Sequence, residues 1–404
     1  MSEPLVIIGN GMAAARLADE LSKRALGKYA VAVIGDEPRL AYNRVLLSSM
    51  LAGEVTSGEL ELRPARWWRD HGVTLSYGHA AVAVDLDRRT VALADGRTVP
   101  FGKLVFATGS QAIRLNIPGA DLDGVHTFRD SGDVEVLLRL AAGKKRVVVI
   151  GGGLLGLEAA YGLAKAGASA TLVHLMDRLM ERQLDLPAAA LLHRLVEAKG
   201  IDVRLNTSTA RIIGTHRVEA VEFAGGERLD ADAVVFAAGI RPNADLARQA
   251  GITVNRGIVV GDDLQTSAAG VYAIGECAEH RGTCYGLVEP AYEQARVLAS
   301  VLARGAGAYA GSVVATNLKV SGVNVFSAGD FLGAGGGETL ELRDDGLGTY
   351  KKLVVHDDRL TGAVLVGDTE HALWYLRLIR SGDNIGDIRP SLMFGPAELE
   401  RKAA

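Results

Sequence analysis

Three short stretches of this sequence carry residue types and spacings that could do chemistry. The first, Gly9-Asn10-Gly11-Met12-Ala13-Ala14, follows an apolar run and precedes an amphipathic segment. It has the GxGxxA form of a phosphate-binding turn. Gly9 permits the tight turn, Gly11 lets the backbone approach a pyrophosphate, and Ala14 keeps a helix close to a strand. The second, Gly151-Gly152-Gly153-Leu154-Leu155-Gly156, repeats the pattern with glycine in all three places. In both, the amides opening the helix, around Met12 and Ala13 or Leu154 and Leu155, are the natural donors to phosphate. The third stretch holds both cysteines of the chain, Cys277 and Cys284, with His280 between them. A redox disulfide, a metal site and simple packing are the three readings. With only three close-set groups and no fourth ligand evident nearby, the metal reading is weak, and no metal is expected.

Each glycine turn needs a strand before it and a helix and second strand after it. Residues 5–8 and 147–150 read as the first strands, and residues 30–35 and 170–175 as the second. The first pair ends at Asp36-Glu37, and either carboxylate could accept hydrogen bonds from a ribose, with Asp36 the preferred of the two. The second ends at His174 where an acid usually stands, with Arg178 and Arg182 on the loop that follows. An NAD site wants the acid, whereas a 2′-phosphate wants positive charge. NADH and NADPH therefore both stay open. Two such turns about 140 residues apart, the spacing of one domain per copy, suggest two dinucleotides, most simply FAD and a nicotinamide nucleotide.

Composition narrows the partners. Among 404 residues there are 44 Lys and Arg against 48 Asp and Glu, a formal charge of −4. That balance supplies no electrostatic reason to bind nucleic acid. Two cysteines fit a reducing compartment, and the N-terminus enters a strand with no basic leader, so a cytoplasmic protein is expected. The nearly uncharged run at residues 146–164 is close to membrane-spanning length, but Glu158 and its glycines divide it into strand, turn and helix. No membrane association is expected.

Further segments have a recognisable order: KLVFATGS at residues 103–110, AVVFAAGIRPN at 233–243 with its turn at Gly239, and GVYAIGE at 270–276. With the two glycine turns, this order resembles the FAD-dependent pyridine nucleotide-disulfide oxidoreductase superfamily. Within it, EPRLAYNRVLLSSML (37–51), HLMDRLMERQLD (174–185), GECAEHRGTCYGLVEPAYEQA (275–295), KVSGVNVFSAGDF (319–331) and YKKLVVHDDRLTGAVLVGDT (350–369) carry a narrower resemblance. They are similar to the flavin region of NAD(P)H nitrite reductase large subunits and assimilatory nitrate reductase electron-transfer subunits, and to ferredoxin and rubredoxin reductases. Those large subunits continue into iron–sulfur and sirohaem modules. This sequence has no cysteine after Cys284, so it is expected to pass electrons to a separate protein.

The resemblance implies an α/β fold with two Rossmann-like dinucleotide-binding domains and a small C-terminal α/β domain. The FAD domain would take residues 1–115 and 240–315, the NAD(P) domain 116–239, and an interface domain 316–404. It implies NAD(P)H-to-FAD hydride transfer, then electron transfer to an iron–sulfur protein or a nitrate or nitrite reductase subunit, with a homodimer as a candidate assembly. It places Gly9 to Ala14 on the FAD pyrophosphate, Asp36 or Glu37 on the ribose, Arg44 at the pyrophosphate or flavin edge, and Thr108 and Gly109 along the channel between. Gly275 and Glu276 would meet the ribityl chain. The helix opened by Pro290 and Tyr292 would aim its positive end at the flavin. Gly151, Gly153, Leu154, Leu155, Gly156, His174 and Arg178 would bind the nicotinamide nucleotide, with Glu158 near the nicotinamide. Glu158 and Arg44 are the catalytic candidates, although Glu158 could equally be a helix-start charge. Where ferredoxin reductases usually have Lys, this chain has Ser49, so no lysine contact carries over. An NAD(P)H oxidase and a non-enzymatic NAD(P)H sensor remain the alternatives. The oxidase branch carries a cysteine in the loop that here reads AYNRVLLS.

Overall fold

The computed structural model describes residues 2–320 and 322–396. Ser321 and residues 397–404, which belong to the expected C-terminal domain, lie outside the described residues. The chain forms two compact units. One takes the chain up to Leu47, then Val55–Gln111 and Ile240–Ser312; the other takes Ser48–Glu54, Ala112–Gly239 and the chain from Val313 on.

In the first unit the apolar run Glu3–Ile8 lies at the centre of a five-stranded parallel sheet. The strand order is Val271–Ala273, Lys103–Phe106, Glu3–Ile8, Tyr29–Gly35, Thr74–Tyr77. Leu5, Ile7, Leu104, Val105 and Phe106 are wholly buried. Continuous apolar runs are what a parallel strand covered on both faces requires. The covering helices are Met12–Arg24 and Val288–Arg304, which pack on each other. The second helix ends at Gly305, whose φ of 75° is a left-handed cap that glycine adopts without strain.

The second unit repeats the plan. Its parallel sheet runs Asp202–Arg204, Ser169–Val173, Arg146–Ile150, Ala233–Phe236, Val125–Thr127. Again the strand feeding the glycine turn is central. Each unit also inserts a three-stranded antiparallel meander at the same point of the plan, Ala81–Asp85 to Thr98–Pro100 in one and Thr209–Ile213 to Arg228–Asp230 in the other. In both sheets, neighbouring strands leave the central strand in opposite directions of chain order. That switch point opens a crevice at the carboxyl ends of the strands, where open α/β sheets bind ligands.

The C-terminal part is a five-stranded antiparallel sheet under one helix, Ala372–Ser381. Thr349–His356 and Arg359–Val366 form a hairpin whose turn residues, Asp357 and Asp358, both have positive φ. That is the conformation a two-residue hairpin turn demands. Asp185 joins this sheet to the dinucleotide half of the same unit. Its Oδ1 caps the helix Leu186–Glu197 by accepting from the Ala188 amide at 3.1 Å. Its Oδ2 accepts from the Tyr350 hydroxyl at 2.9 Å and lies 3.4 Å from Lys352 Nζ. Among the described residues no helix is long and apolar enough to cross a membrane.

Candidate dinucleotide sites

The two glycine turns use one device twice. A methyl group added at Gly9 would sit 2.1 Å from the Ala107 carbonyl oxygen, and one at Gly151 would sit 2.3 Å from that of Ala237. Ala107 and Ala237 follow corresponding strands of the two sheets. Both glycines also have φ above 110°, so each is fixed by backbone on two counts. Gly156 is fixed by packing: its methyl would lie 1.8 Å from the Gly151 oxygen. Ala14, the corresponding residue of the first turn, is fully buried.

The middle glycines differ. Gly11 and Gly153 have ordinary φ values of −100° and −80°, and a methyl on either would meet no protein atom within 4 Å. Nothing in the protein requires glycine there. Each is the N-cap of its helix, and neither helix has a side-chain cap. The amides opening both helices thus face a space that a side chain would fill. That is the shape and polarity of an anion cradle.

Around the first cradle, Glu37 is held by the Tyr42 hydroxyl at 2.7 Å and by Arg44. The Arg44 guanidinium also lies 5.0 Å over the Tyr42 ring. Asp36 is exposed, and its carboxylate accepts from the Glu37 amide. Of the two acids, Glu37 is thus the one fixed at the strand end. Thr108 and Gly109 are clamped by Asn243. Thr108 Oγ1 donates to the Asn243 carbonyl at 2.6 Å, Asn243 Nδ2 donates to the Thr108 carbonyl at 3.0 Å, and the Asn243 amide donates to Gly109 at 2.9 Å. Glu276 accepts from the Ser110 hydroxyl. Gly275 lies close to Ala13 at the helix start, and its amide donates to Gln294 at 2.7 Å. Pro290 is buried in the first turn of the helix Val288–Arg304, and Tyr292 stacks 5.7 Å under Arg16. Asn243 and Ser110 were missed from the sequence. The only signal was that each is the last residue of a quoted glycine segment.

The cysteines belong to this same frame. Cys277 is wholly buried, and its thiol donates to the Phe106 and Ile274 carbonyls at 3.5 and 3.3 Å. Burial pushes both thiols above their ordinary value, which disfavours the nucleophilic thiolate. Neither cysteine is in a disulfide. His280 is buried with Nε2 at 2.8 Å from Asp262 and its ring 4.8 Å from that of Tyr309. Replacing Cys277 and Cys284 together with Ser is expected to leave flavin reduction by NAD(P)H largely intact. Loss of hydride transfer in a folded, flavin-loaded double variant, measured by stopped-flow absorbance, would refute a packing role.

In the second unit the His174 ring folds over the turn. A methyl on Gly152 would lie 2.5 Å from its Cγ, so a third consecutive glycine is needed. Arg178 is paired with Asp177 at 3.0 Å, and Gly239 turns at a φ of 110°. Glu158, in the second turn of the helix Leu154–Lys165, borders an open pocket of about 330 Å³ lined by Ser48, Ser49, Ala52, Glu54, Tyr161 and Gly322. By surface area the side chain is only partly covered, yet dense protein around it desolvates the carboxyl and pushes it up to about 8. A hydrogen bond from Ser48 pulls the other way and is the weaker influence. Among the described residues that line it none is Lys or Arg, and Lys165 pairs with its Glu54 at 2.6 Å.

Residues 3–297 match the family model described as pyridine nucleotide-disulphide oxidoreductase. The chain belongs to that family. Residues 315–383 match the C-terminal domain of rubredoxin NAD+ reductase. This family member is 42% identical over 397 residues to a nitrite reductase [NAD(P)H] of Bacillus subtilis, covering 98% of this chain and 49% of that protein. It is 42% identical over 366 residues to the assimilatory nitrate reductase electron transfer subunit of the same organism, covering 90% and 48%. The chain thus spans about half the length of the curated relatives it matches. Among solved structures, putidaredoxin reductase in its covalent complex with putidaredoxin superposes with a TM-score of 0.86 at 28% identity, covering 95% of this chain and 94% of that one.

Proposed function

We propose that this chain is an FAD-dependent NAD(P)H oxidoreductase that passes electrons to an iron–sulfur protein or a nitrate or nitrite reductase component. The observation that carries the proposal is the pair of cradles at Gly11 and Gly153, helix N-caps whose added methyl would meet no protein atom within 4 Å. Bound FAD supplies a hydride acceptor for the reduced nicotinamide and the capacity to release electrons singly. The residues supply the rest. The amides at Met12, Ala13 and Ala14 hold the flavin pyrophosphate, and Arg44 offsets its charge. Glu37, fixed by Tyr42, accepts the ribose hydroxyls. The Asn243 clamp keeps Thr108 and Gly109 rigid along the nucleotide, and Ser110 orients Glu276 toward the ribityl chain. The positive end of the helix carrying Pro290 and Tyr292 favours negative charge on the flavin.

In the second unit the amides at Leu154 and Leu155 hold the nicotinamide nucleotide. Glu158, carrying a proton at neutral pH, donates a hydrogen bond to the carboxamide. The FAD domain is assigned to residues 1–115 and 240–315, the NAD(P) domain to 116–239, and a C-terminal interface domain to 316–404. A cytoplasmic setting fits the reduced cysteines.

The test uses purified flavin-loaded protein. Reduction by NAD(P)H, followed by faster electron delivery to an added iron–sulfur protein than to oxygen, supports the reductase. Fast oxygen consumption with no delivery would favour an NAD(P)H oxidase.

A further inference from the structure

The strand register exposes an exchange between the two halves. Ile8 pairs with Ile34 in one sheet and Ile150 with Val173 in the other. Gly35 and His174, the next residues, therefore correspond, as do Asn10 and Gly152 in the turns. In the first half the turn residue is large and the strand end small: a methyl on Gly35 would lie 2.6 Å from Asn10 Cβ. In the second half the sizes are reversed, and the His174 ring occupies the gap over Gly152. His174 is thus part of the turn's scaffold, and it stands where an acid would otherwise meet the ribose.

Both ring nitrogens are committed. Nδ1 accepts from the Gly152 amide at 2.9 Å. A nitrogen that accepts carries no proton, so the ring hydrogen resides on Nε2. Nε2 lies 3.1 Å from Glu181 Oε2 and donates to it. A carboxylate from the following loop is therefore brought back beside the glycine turn, one imidazole away. The rest of that carboxylate stays available: Oε1 has Arg182 Nε only at 4.0 Å.

Resting on the reductase reading above, we infer that Glu181, positioned by His174, accepts the adenosine ribose hydroxyls of the nicotinamide nucleotide and makes this site select NADH over NADPH. A vicinal diol offers two O–H donors to a carboxylate, whereas a 2′-phosphorylated ribose keeps one hydroxyl and sets negative charge beside it. The arginines do not reverse this. Arg178 gives a terminal nitrogen to Asp177 at 3.0 Å, and its Nε is buried without a hydrogen-bond partner, out of reach of a solvent-side phosphate. Arg182 is 87% exposed and is not fixed at the turn. A 2′-phosphate would meet Glu181 and Asp177 alongside them.

The test is equilibrium binding to the flavin-loaded protein of ADP-ribose and 2′-phospho-ADP-ribose, which differ only at the discriminating position and carry no nicotinamide. The wild type should prefer ADP-ribose. Glu181→Gln should weaken ADP-ribose about tenfold and leave 2′-phospho-ADP-ribose equal or tighter, as loss of a charged hydrogen bond implies. Glu181→Asp, which keeps the charge, should retain part of the preference. A wild type that prefers the 2′-phosphate, or a Glu181→Gln variant weakened equally toward both, would overturn the inference. Failure of NADH to reduce the flavin, with this discrimination intact, would overturn the reductase reading and not this one.

Discussion

Gly11→Ala is expected to strip flavin from a chain that still folds. The backbone at Gly11 is ordinary, and a methyl there meets no protein atom within 4 Å. The apoprotein should therefore keep its melting temperature, or gain slightly from reduced freedom in the unfolded chain. The methyl instead stands where the pyrophosphate must approach the amides opening the helix. Forced overlap of that kind costs about 1–3 kcal/mol, so FAD affinity should fall about 10- to 100-fold. Gly9→Ala is the contrasting case. Its methyl would lie 2.1 Å from the Ala107 oxygen at a φ of 112°, so the fold itself should suffer. Flavin content after dialysis and thermal unfolding of the apoproteins separate the two outcomes. A Gly11→Ala protein with wild-type flavin affinity would mean that the cradle does not hold a pyrophosphate.

Glu158→Gln is expected to remove a pH dependence of stability. The Glu158 carboxyl stands at about 8 in the folded chain against an ordinary value of 4.5, chiefly because burial disfavours its charge. Between those values the folded state holds a proton that the unfolded state has lost. Its contribution is complete below the ordinary value and is lost as pH rises through about 8. With a discount for the pocket's opening to solvent, the loss is on the order of 2–4 kcal/mol. Gln cannot ionise, so the variant should resemble the wild type at about pH 5 and exceed it in stability at about pH 9. Urea unfolding at the two pH values measures this directly. Parallel wild-type and variant profiles would show that Glu158 is not the titrating group.

What the sequence disclosed was local. The glycine turns and their strands depend on φ preferences and apolar runs that lie within a few residues. The resemblance added the order of the segments. What stayed hidden joins distant positions. Asp36 and Glu37 are indistinguishable as neighbours in a sequence, and Tyr42 and Arg44 single out Glu37 only once the loop folds back. Asn243 reaches Thr108 from 135 positions away. Asp185 is a local helix cap, but its bonds to Tyr350 and Lys352 cross the unit. The missing acid at His174 and the missing lysine at Ser49 were visible as departures. The carboxylate that Glu181 brings back beside His174 and the desolvated carboxyl at Glu158 required the folded loops.

The proposed function requires hydride transfer from a bound nicotinamide nucleotide to bound FAD. Anaerobic titration of the flavin-loaded protein with NADH, followed by visible absorbance, tests it most directly. Stoichiometric bleaching of the flavin band is expected in the wild type, and sharply weaker bleaching in Gly153→Ala, whose cradle is filled. A flavin that stays oxidised in excess NADH and excess NADPH would contradict it.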